Sequence, residues 1–254
     1  MKKHFITYGD GIFTQQSKRI KKEASNSGLF DTSYSYSRED TGPLYLKHKK
    51  FIDEHPMGSG YWIWKPWIIL QTLLKINEGD IVVYADAGCC FVNQGTHKES
   101  REKSFHDLID ILRNADRPFM AFSPHTKENF TKNDYDQSDM QKKPVLKQFD
   151  LLENENFKNY CALEAGLIFI KKTPFTVAVM HYWMNLMTMD DYALIREWEH
   201  HSGNIVPEQA LLNIVFFQFN LIKVKGAHLY GATPIFAGRY TDTGQKKGYH
   251  QPIM

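Results

Sequence analysis

The chain has 254 residues, enough for one domain with a well-buried core. Its 31 basic and 29 acidic side chains nearly cancel to a net charge of +2, which argues against a dedicated nucleic-acid binder. Cys89, Cys90 and Cys161 give neither a disulfide framework nor a zinc-site spacing, and no apolar window approaches a membrane span. The apolar run after Met1-Lys2-Lys3 is too short for a signal peptide, so a cytoplasmic protein without a transmembrane segment is expected.

Residues 4–8 read as a short strand, stopped by Gly9-Asp10-Gly11. Residues 14–24 read as a helix with Thr14 as candidate N-cap and Gly28 as its stop. Residues 32–36 give a second strand and 44–54 a helix, broken over 56–60. Pro66 fits a first helical position, after which Trp67, Leu70, Leu73 and Leu74 lie along one face until Asn77-Glu78-Gly79. Residues 81–85 form a continuous apolar run, as expected of a strand buried on both faces. A helix over 105–112 and a strand over 119–122 precede a long polar stretch over 123–143 that carries Asp134, Asp136 and Asp139. Residues 165–170 are another buried strand, 175–187 and 207–219 are helices, and 221–224 and 234–237 are late strands.

Strands alternating with helices define an α/β fold with a mostly parallel central sheet flanked by helices. No internal repeat or low-complexity linker interrupts it, so a single domain over 1–254 is expected. In such sheets ligands sit outside the carboxyl ends of the strands. Two expected strand ends carry polar signals there, at Tyr8-Gly9-Asp10 and Tyr84-Ala85-Asp86-Ala87-Gly88.

Asp86 is the sharpest position. A carboxylate ending a buried strand is costly unless hydrogen-bonded, paired or bound to metal; the plainer reading is a cap on the following turn. Lys65 lies among Trp62, Trp64 and Trp67, either snorkelling past core aromatics or facing a phosphate. Tyr8 offers a ring for stacking or ordinary packing. Glu164 precedes a strand and Glu208-Gln209 opens a helix, where polar groups are often caps. His250 follows Lys246-Lys247-Gly248-Tyr249 and is a metal ligand or part of a disordered tail. No P-loop, Gly-x-Gly-x-x-Gly or Gly-x-Ser-x-Gly occurs.

In order, these pieces resemble a nucleotide-sugar glycosyltransferase of the GT-A fold. The similar segments are a Tyr-bearing loop after the first strand, Lys65 at a helix head, and Gly79-Asp80-Ile81-Val82-Val83-Tyr84-Ala85-Asp86-Ala87-Gly88. Glu164-Ala165-Gly166-Leu167-Ile168 and Glu208-Gln209-Ala210-Leu211-Leu212-Asn213-Ile214 follow. The stretch Gly60-Tyr61-Trp62-Ile63-Trp64-Lys65-Pro66 looks like that of glycosyltransferase-like proteins from bacteria and large viruses. The resemblance implies that Thr7 and Tyr8 border the nucleotide base and that Lys65 faces the diphosphate or donor sugar. It makes Asp86 the ligand of Mn²⁺ or Mg²⁺ with His250 completing the shell, counts Tyr84 and Lys246 among the donor-binding residues, and has Glu208 and Gln209 hold the donor sugar. One departure stands out: Gly88 replaces the second aspartate of the family's Asp-x-Asp. Metal bound by Asp86 with water and His250, turnover without metal, and lost catalysis all follow as alternatives.

The implied activity moves a hexose from a nucleotide-diphosphate sugar, UDP-linked, to a glycan or other hydroxyl acceptor. An inverting enzyme would need a general base, with Asp134, Asp136 or Glu164 available; Gln209 suits a retaining one. The rival reading is a non-catalytic sugar- or nucleotide-binding module, which Gly88 favours. A nucleotidyltransferase ranks last, because Tyr8-Gly9-Asp10-Gly11-Ile12 is a poor Gly-rich loop.

Overall fold

The computed structural model describes residues 1–91, 97–123, 141–160, 162–198, 206–225 and 233–236. Among these, β1 (Lys3–Tyr8), β2 (Thr32–Tyr36), β3 (Ile81–Ala85), β5 (Phe119–Ser123), β6 (Glu164–Lys171) and β7 (Ile222–Lys225) form the central sheet, in the order β2-β1-β3-β6-β5-β7. β1 runs parallel to β2 and β3, and β5 parallel to β7. Only β6 is reversed, antiparallel to both β3 and β5. The sheet is therefore mostly parallel, as expected. β4 (Cys90–Phe91) and β8 (Ile235–Phe236) make a separate antiparallel pair.

Neighbouring residues of a strand point to opposite faces, and here both faces are covered. Ile6, Val82, Tyr84, Ile168 and Ile170 join one core cluster, while Phe5, Ile81, Val83, Leu167 and Phe169 join the other. That is why these strands read as unbroken apolar runs. The first face is covered by α2 (Gly42–Glu54), α4 (Trp64–Lys75), α8 (Pro174–Tyr192) and α9 (Pro207–Phe219). The second is covered by α1 (Thr14–Asn26) and α5 (Lys98–Asn114). The short left-handed coil α3 (Gly58–Tyr61) and the short helices α6 (Lys143–Gln148) and α7 (Glu155–Lys158) complete the described connections.

Several boundaries differ from the sequence expectation, each for a local reason. α1 is entered through a 3₁₀ turn over Gly11–Phe13, so Phe13 and not Thr14 holds the N-cap position. α4 begins at Trp64, two residues ahead of Pro66. The proline still falls within the first turn, where a missing N–H has no helical partner to lose. α5 starts at Lys98, ahead of the expected 105, because its charged opening turns carry no apolar period to mark them in the sequence. α8 starts sharply: the Thr173 hydroxyl accepts from the Thr176 N–H (3.1 Å), and the Thr176 hydroxyl accepts from the Thr173 N–H (2.9 Å). Its span passes residue 187 to Tyr192, but the backbone leaves helical geometry at Met189, Asp190 and Asp191. Of the long polar stretch, residues 124–140 lie outside the described residues, and α6 begins at Lys143.

The reversal of β6 has a consequence for function. Its first residues lie at the edge of the sheet where β3 ends, so Ala85 pairs with Leu167 and the Asp86 N–H donates to the Gly166 carbonyl (2.9 Å). Among the described residues no helix is long and apolar enough to cross a membrane.

Phe169 is fully buried, with its ring centroid 5.7 Å from that of Phe105 and 5.5 Å from that of Phe122. Phe169→Ala should lower stability by about 3–5 kcal/mol through the cavity it leaves. Urea unfolding checks this, with an expected drop in midpoint at unchanged slope.

Candidate active site

The site begins with the tight coil ahead of α4. Ser59, Gly60, Tyr61 and Trp62 all have left-handed backbones, with φ between 53° and 85°. The Trp64 indole N–H donates to the Gly58 carbonyl (2.9 Å), and its ring stacks on Tyr8 with centroids 4.0 Å apart. Trp62 and Trp67 pack, half-buried, against the same core. The tryptophans thus wedge the start of α4 into the sheet edge. The next residue, Lys65, is driven inward and is only 1% exposed.

The Lys65 ammonium is fully engaged. Nζ donates to Glu208 Oε1 (2.9 Å) and to the Ala165 carbonyl (3.3 Å), and lies 3.2 Å from Asp86 Oδ1. It therefore does not present itself to a diphosphate; it reaches solvent only through Asp86. The Tyr84 hydroxyl donates to the same Asp86 Oδ1. Asp86 Oδ2 accepts from no described residue, and 46% of the side chain is exposed. A Cβ at Gly166 would lie 3.3 Å from Oδ2, so a bare backbone at that position gives the outward oxygen its room.

Charge states follow from this packing. Burial pulls the Lys65 ammonium down, but the Asp86 and Glu208 carboxylates outweigh it and its pKa is raised. Burial pushes the Glu208 carboxyl up against the pull of Lys65. Its Oε2 is buried without a partner among the described residues, as suits a carboxyl inclined to keep a proton. Burial and the neighbouring Asp86 push Tyr84 well above an ordinary phenol, so it stays a hydroxyl donor. Burial likewise keeps Cys89 a thiol. With Glu208 ionised the trio of Lys65, Asp86 and Glu208 carries one net negative charge; with Glu208 protonated it is neutral.

The remaining sequence-predicted residues fall around this cluster. Tyr8 is only 6% exposed, its ring against Trp64 and its hydroxyl donating to Asp10 Oδ2 (3.0 Å), so it offers no open face to a base in this conformation. Thr7 is buried, with an unpartnered hydroxyl among the described residues. Glu164 is half-buried at the start of β6, in register with Phe122. Gln209 is half-buried on α9. Asp134, Lys246 and His250 lie outside the described residues.

Two features were not visible as site residues in the sequence. Asn213 ties α9 to the residue before β6, accepting from the Leu163 N–H at 2.8 Å; it lies in the sequence segment that resembles the family, with no role assigned to it there. A shallow cleft opens beside Tyr8, lined by Asp10, Arg38, Tyr45, Ser59 and Trp64, with the Arg38 guanidinium 4.4 Å above the Tyr45 ring. Among the described residues no group of three or more His, Cys, Asp or Glu side chains is placed to hold a metal ion.

No family model matches the chain, and no curated protein matches it. Among solved structures it is similar to a glycosyltransferase involved in glycosylation of the major capsid of PBCV-1, at 13% identity and a TM-score of 0.47, over 89% of this chain and 82% of that one. It is similar to the glycosyltransferase GlyE of Streptococcus pneumoniae TIGR4 at 12% identity and a TM-score of 0.40, over 88% of this chain but 45% of that one. It is also similar to the galactosyltransferase LgtC, solved with donor and acceptor sugar analogues, at 12% identity and a TM-score of 0.41, over 87% and 72%.

Lys65→Met should strand the buried Glu208 carboxyl and cost about 3–5 kcal/mol at neutral pH. Lys65→Met combined with Glu208→Leu should recover most of that loss in denaturant melts. A second expectation concerns pH. Because the folded pKa of Glu208 is raised, the folded chain holds this proton more tightly, so the group's contribution to stability falls as pH rises above its ordinary value of 4.5. Glu208→Gln should remove that fall, read as the difference between the two stability profiles.

Proposed function

We propose that the chain is a glycosyltransferase, a single domain over 1–254, that moves a hexose from a UDP-linked sugar to a glycan or other hydroxyl acceptor. The observation that carries this reading is Asp86. It is a half-exposed carboxylate at the carboxyl edge of the sheet, with one oxygen fixed by Lys65 and Tyr84 and the other free among the described residues.

Breaking a sugar–diphosphate bond requires the charge growing on the leaving group to be neutralised. Lys65 cannot do so directly, because its charge is already balanced by Asp86 and Glu208. A cluster of zero net charge gives a diphosphate no net attraction, and one of negative charge repels it. The chemistry therefore favours a divalent cation between Asp86 and the diphosphate. The hard, outward Oδ2 fits Mn²⁺ or Mg²⁺ as a one-point ligand, with diphosphate and water oxygens as the natural complement. When bound, such an ion would supply Lewis-acid stabilisation of the departing phosphate. Lys65 and Tyr84 act by holding Asp86 in place. Gln209 is the residue proposed against the donor sugar, and Glu164 the candidate base of an inverting route. The cleft beside Tyr8 is proposed to border the nucleoside.

The alternative is a non-catalytic sugar- or nucleotide-binding module, favoured by Gly88, which supplies no second carboxylate. Calorimetric titration of UDP and GDP with and without Mn²⁺, on the natural chain and on Asp86→Ala, tests the proposal. We expect UDP to bind with Mn²⁺ and to lose at least about tenfold in Asp86→Ala, the scale of one charge-assisted contact. Hydrolysis of UDP-hexose by the natural chain then separates the transferase from the module. Binding indifferent to Mn²⁺ and to Asp86 would overturn the proposed site.

A further inference from the structure

The loop after β1 holds two apolar side chains out in water. Ile12 is 82% exposed and Phe13 49%. Single exposed apolar residues are ordinary, but this pair is adjacent and rigidly mounted. It sits in the 3₁₀ turn Gly11–Phe13, where the Phe13 N–H donates to the Asp10 carbonyl (2.8 Å). A Cβ at Gly9 would come within 2.5 Å of the Phe13 carbonyl and the Ser17 hydroxyl, so the loop is packed hard against the first turn of α1. The Asp10 carboxylate accepts from the Tyr8 hydroxyl (3.0 Å) and the Ser59 hydroxyl (2.8 Å), which pins the loop from the other side. A loop tied at these points cannot fold its isoleucine back over the protein.

The turn runs straight into α1, which buries Ser17, Ile20 and Ala24. Lys18, Lys21 and Lys22 are exposed on α1, with Lys18 and Lys22 one turn apart, among the neutral exposed residues Gln15 and Ser25. The one acid of α1, Glu23, is taken by Arg19 (2.6 Å) and by the Phe91 N–H (3.0 Å). Among the described residues none of the three lysines has an acidic partner. A projecting apolar pair at the head of a helix whose fully exposed charges are all cationic matches an interface with an apolar interior and an anionic rim.

We propose that this surface seats the protein on an anionic lipid bilayer. Ile12 and Phe13 enter the headgroup layer while Lys18, Lys21 and Lys22 face the anionic headgroups. A nucleic acid would leave the apolar pair unburied, and a second copy docking on the same patch would set lysine against lysine. The proposal stands independently of the transferase reading, since it concerns adsorption alone.

The test is co-sedimentation of the full chain with vesicles of phosphatidylcholine, or of phosphatidylcholine mixed with phosphatidylglycerol. We expect binding to the mixed vesicles only, weakening as salt is raised. The double variant Ile12→Ser/Phe13→Ser should lose at least about tenfold. Lys18→Gln, Lys21→Gln and Lys22→Gln should each lose about fivefold. All five positions are exposed or lie on the surface turn, and thermal melts confirm that the variants fold. Equal binding to both vesicle types, binding that survives the double variant, or a dimer that depends on Ile12 without vesicle binding would each overturn the proposal.

Discussion

A single buried ammonium organises the candidate site at the carboxyl end of the sheet. Lys65 enters from the start of α4, and its partners come from the end of β3, the start of β6 and the first turn of α9. Taking a charge out of water costs several kcal/mol unless every donor finds a partner. The four elements must therefore converge on one nitrogen. The antiparallel course of β6 is part of that solution, because it brings the Ala165 carbonyl to the edge where Asp86 emerges. Asn213 is another, since its side chain fixes α9 against the approach to β6. A one-residue slip of β6 would turn the Ala165 carbonyl away and set a side chain where Gly166 leaves room for Asp86. Such a pair adds little net stability, because its attraction mainly offsets the cost of burying the charges.

The crowding of tryptophans ahead of Lys65 has its explanation here. A lysine in the first turn of a helix ordinarily reaches water along its flexible stem. To hold it inside, the preceding coil must be shaped and its outward routes blocked. Left-handed backbones over residues 59–62 shape the coil, and the Trp64 ring, stacked on Tyr8, closes the side toward the cleft. The aromatics are framework: they fix where Lys65 and, through it, Asp86 can be.

Much of this frame was legible in the sequence, and the exceptions share a cause. β3 was readable to the residue because its apolar run is a local signal, and β2 because its alternation of Tyr with smaller polar residues is another. Asp86 was legible as a polar residue ending a buried strand. The direction of β6 was not, because a strand buried on both faces carries the same apolar run whichever way it lies. The burial of Lys65 was hidden for a related reason: its partner Glu208 is 143 residues away, so no spacing within the sequence announces the pair. Glu208 itself looked like a helix-opening cap. The opening of α5 was missed because its first turns are charged and leave no apolar period. Long-range ionic contacts and strand direction are what local patterns omit.

The same cluster also bears on how a ligand would be held. Of the charges gathered here, only the outward oxygen of Asp86 is both uncommitted among the described residues and partly open to water. Tyr84 and Lys65 reduce its freedom to turn, so the oxygen is directional as well as charged. A cation held at one such point exchanges easily with water, whereas a cation that also coordinates a diphosphate gains ligands it would otherwise lack. On the proposed reading, metal and nucleotide then strengthen each other's binding, and the coupling is reciprocal by necessity. On that reading Gly88 supplies no second carboxylate, so diphosphate and water oxygens would complete the ion's shell.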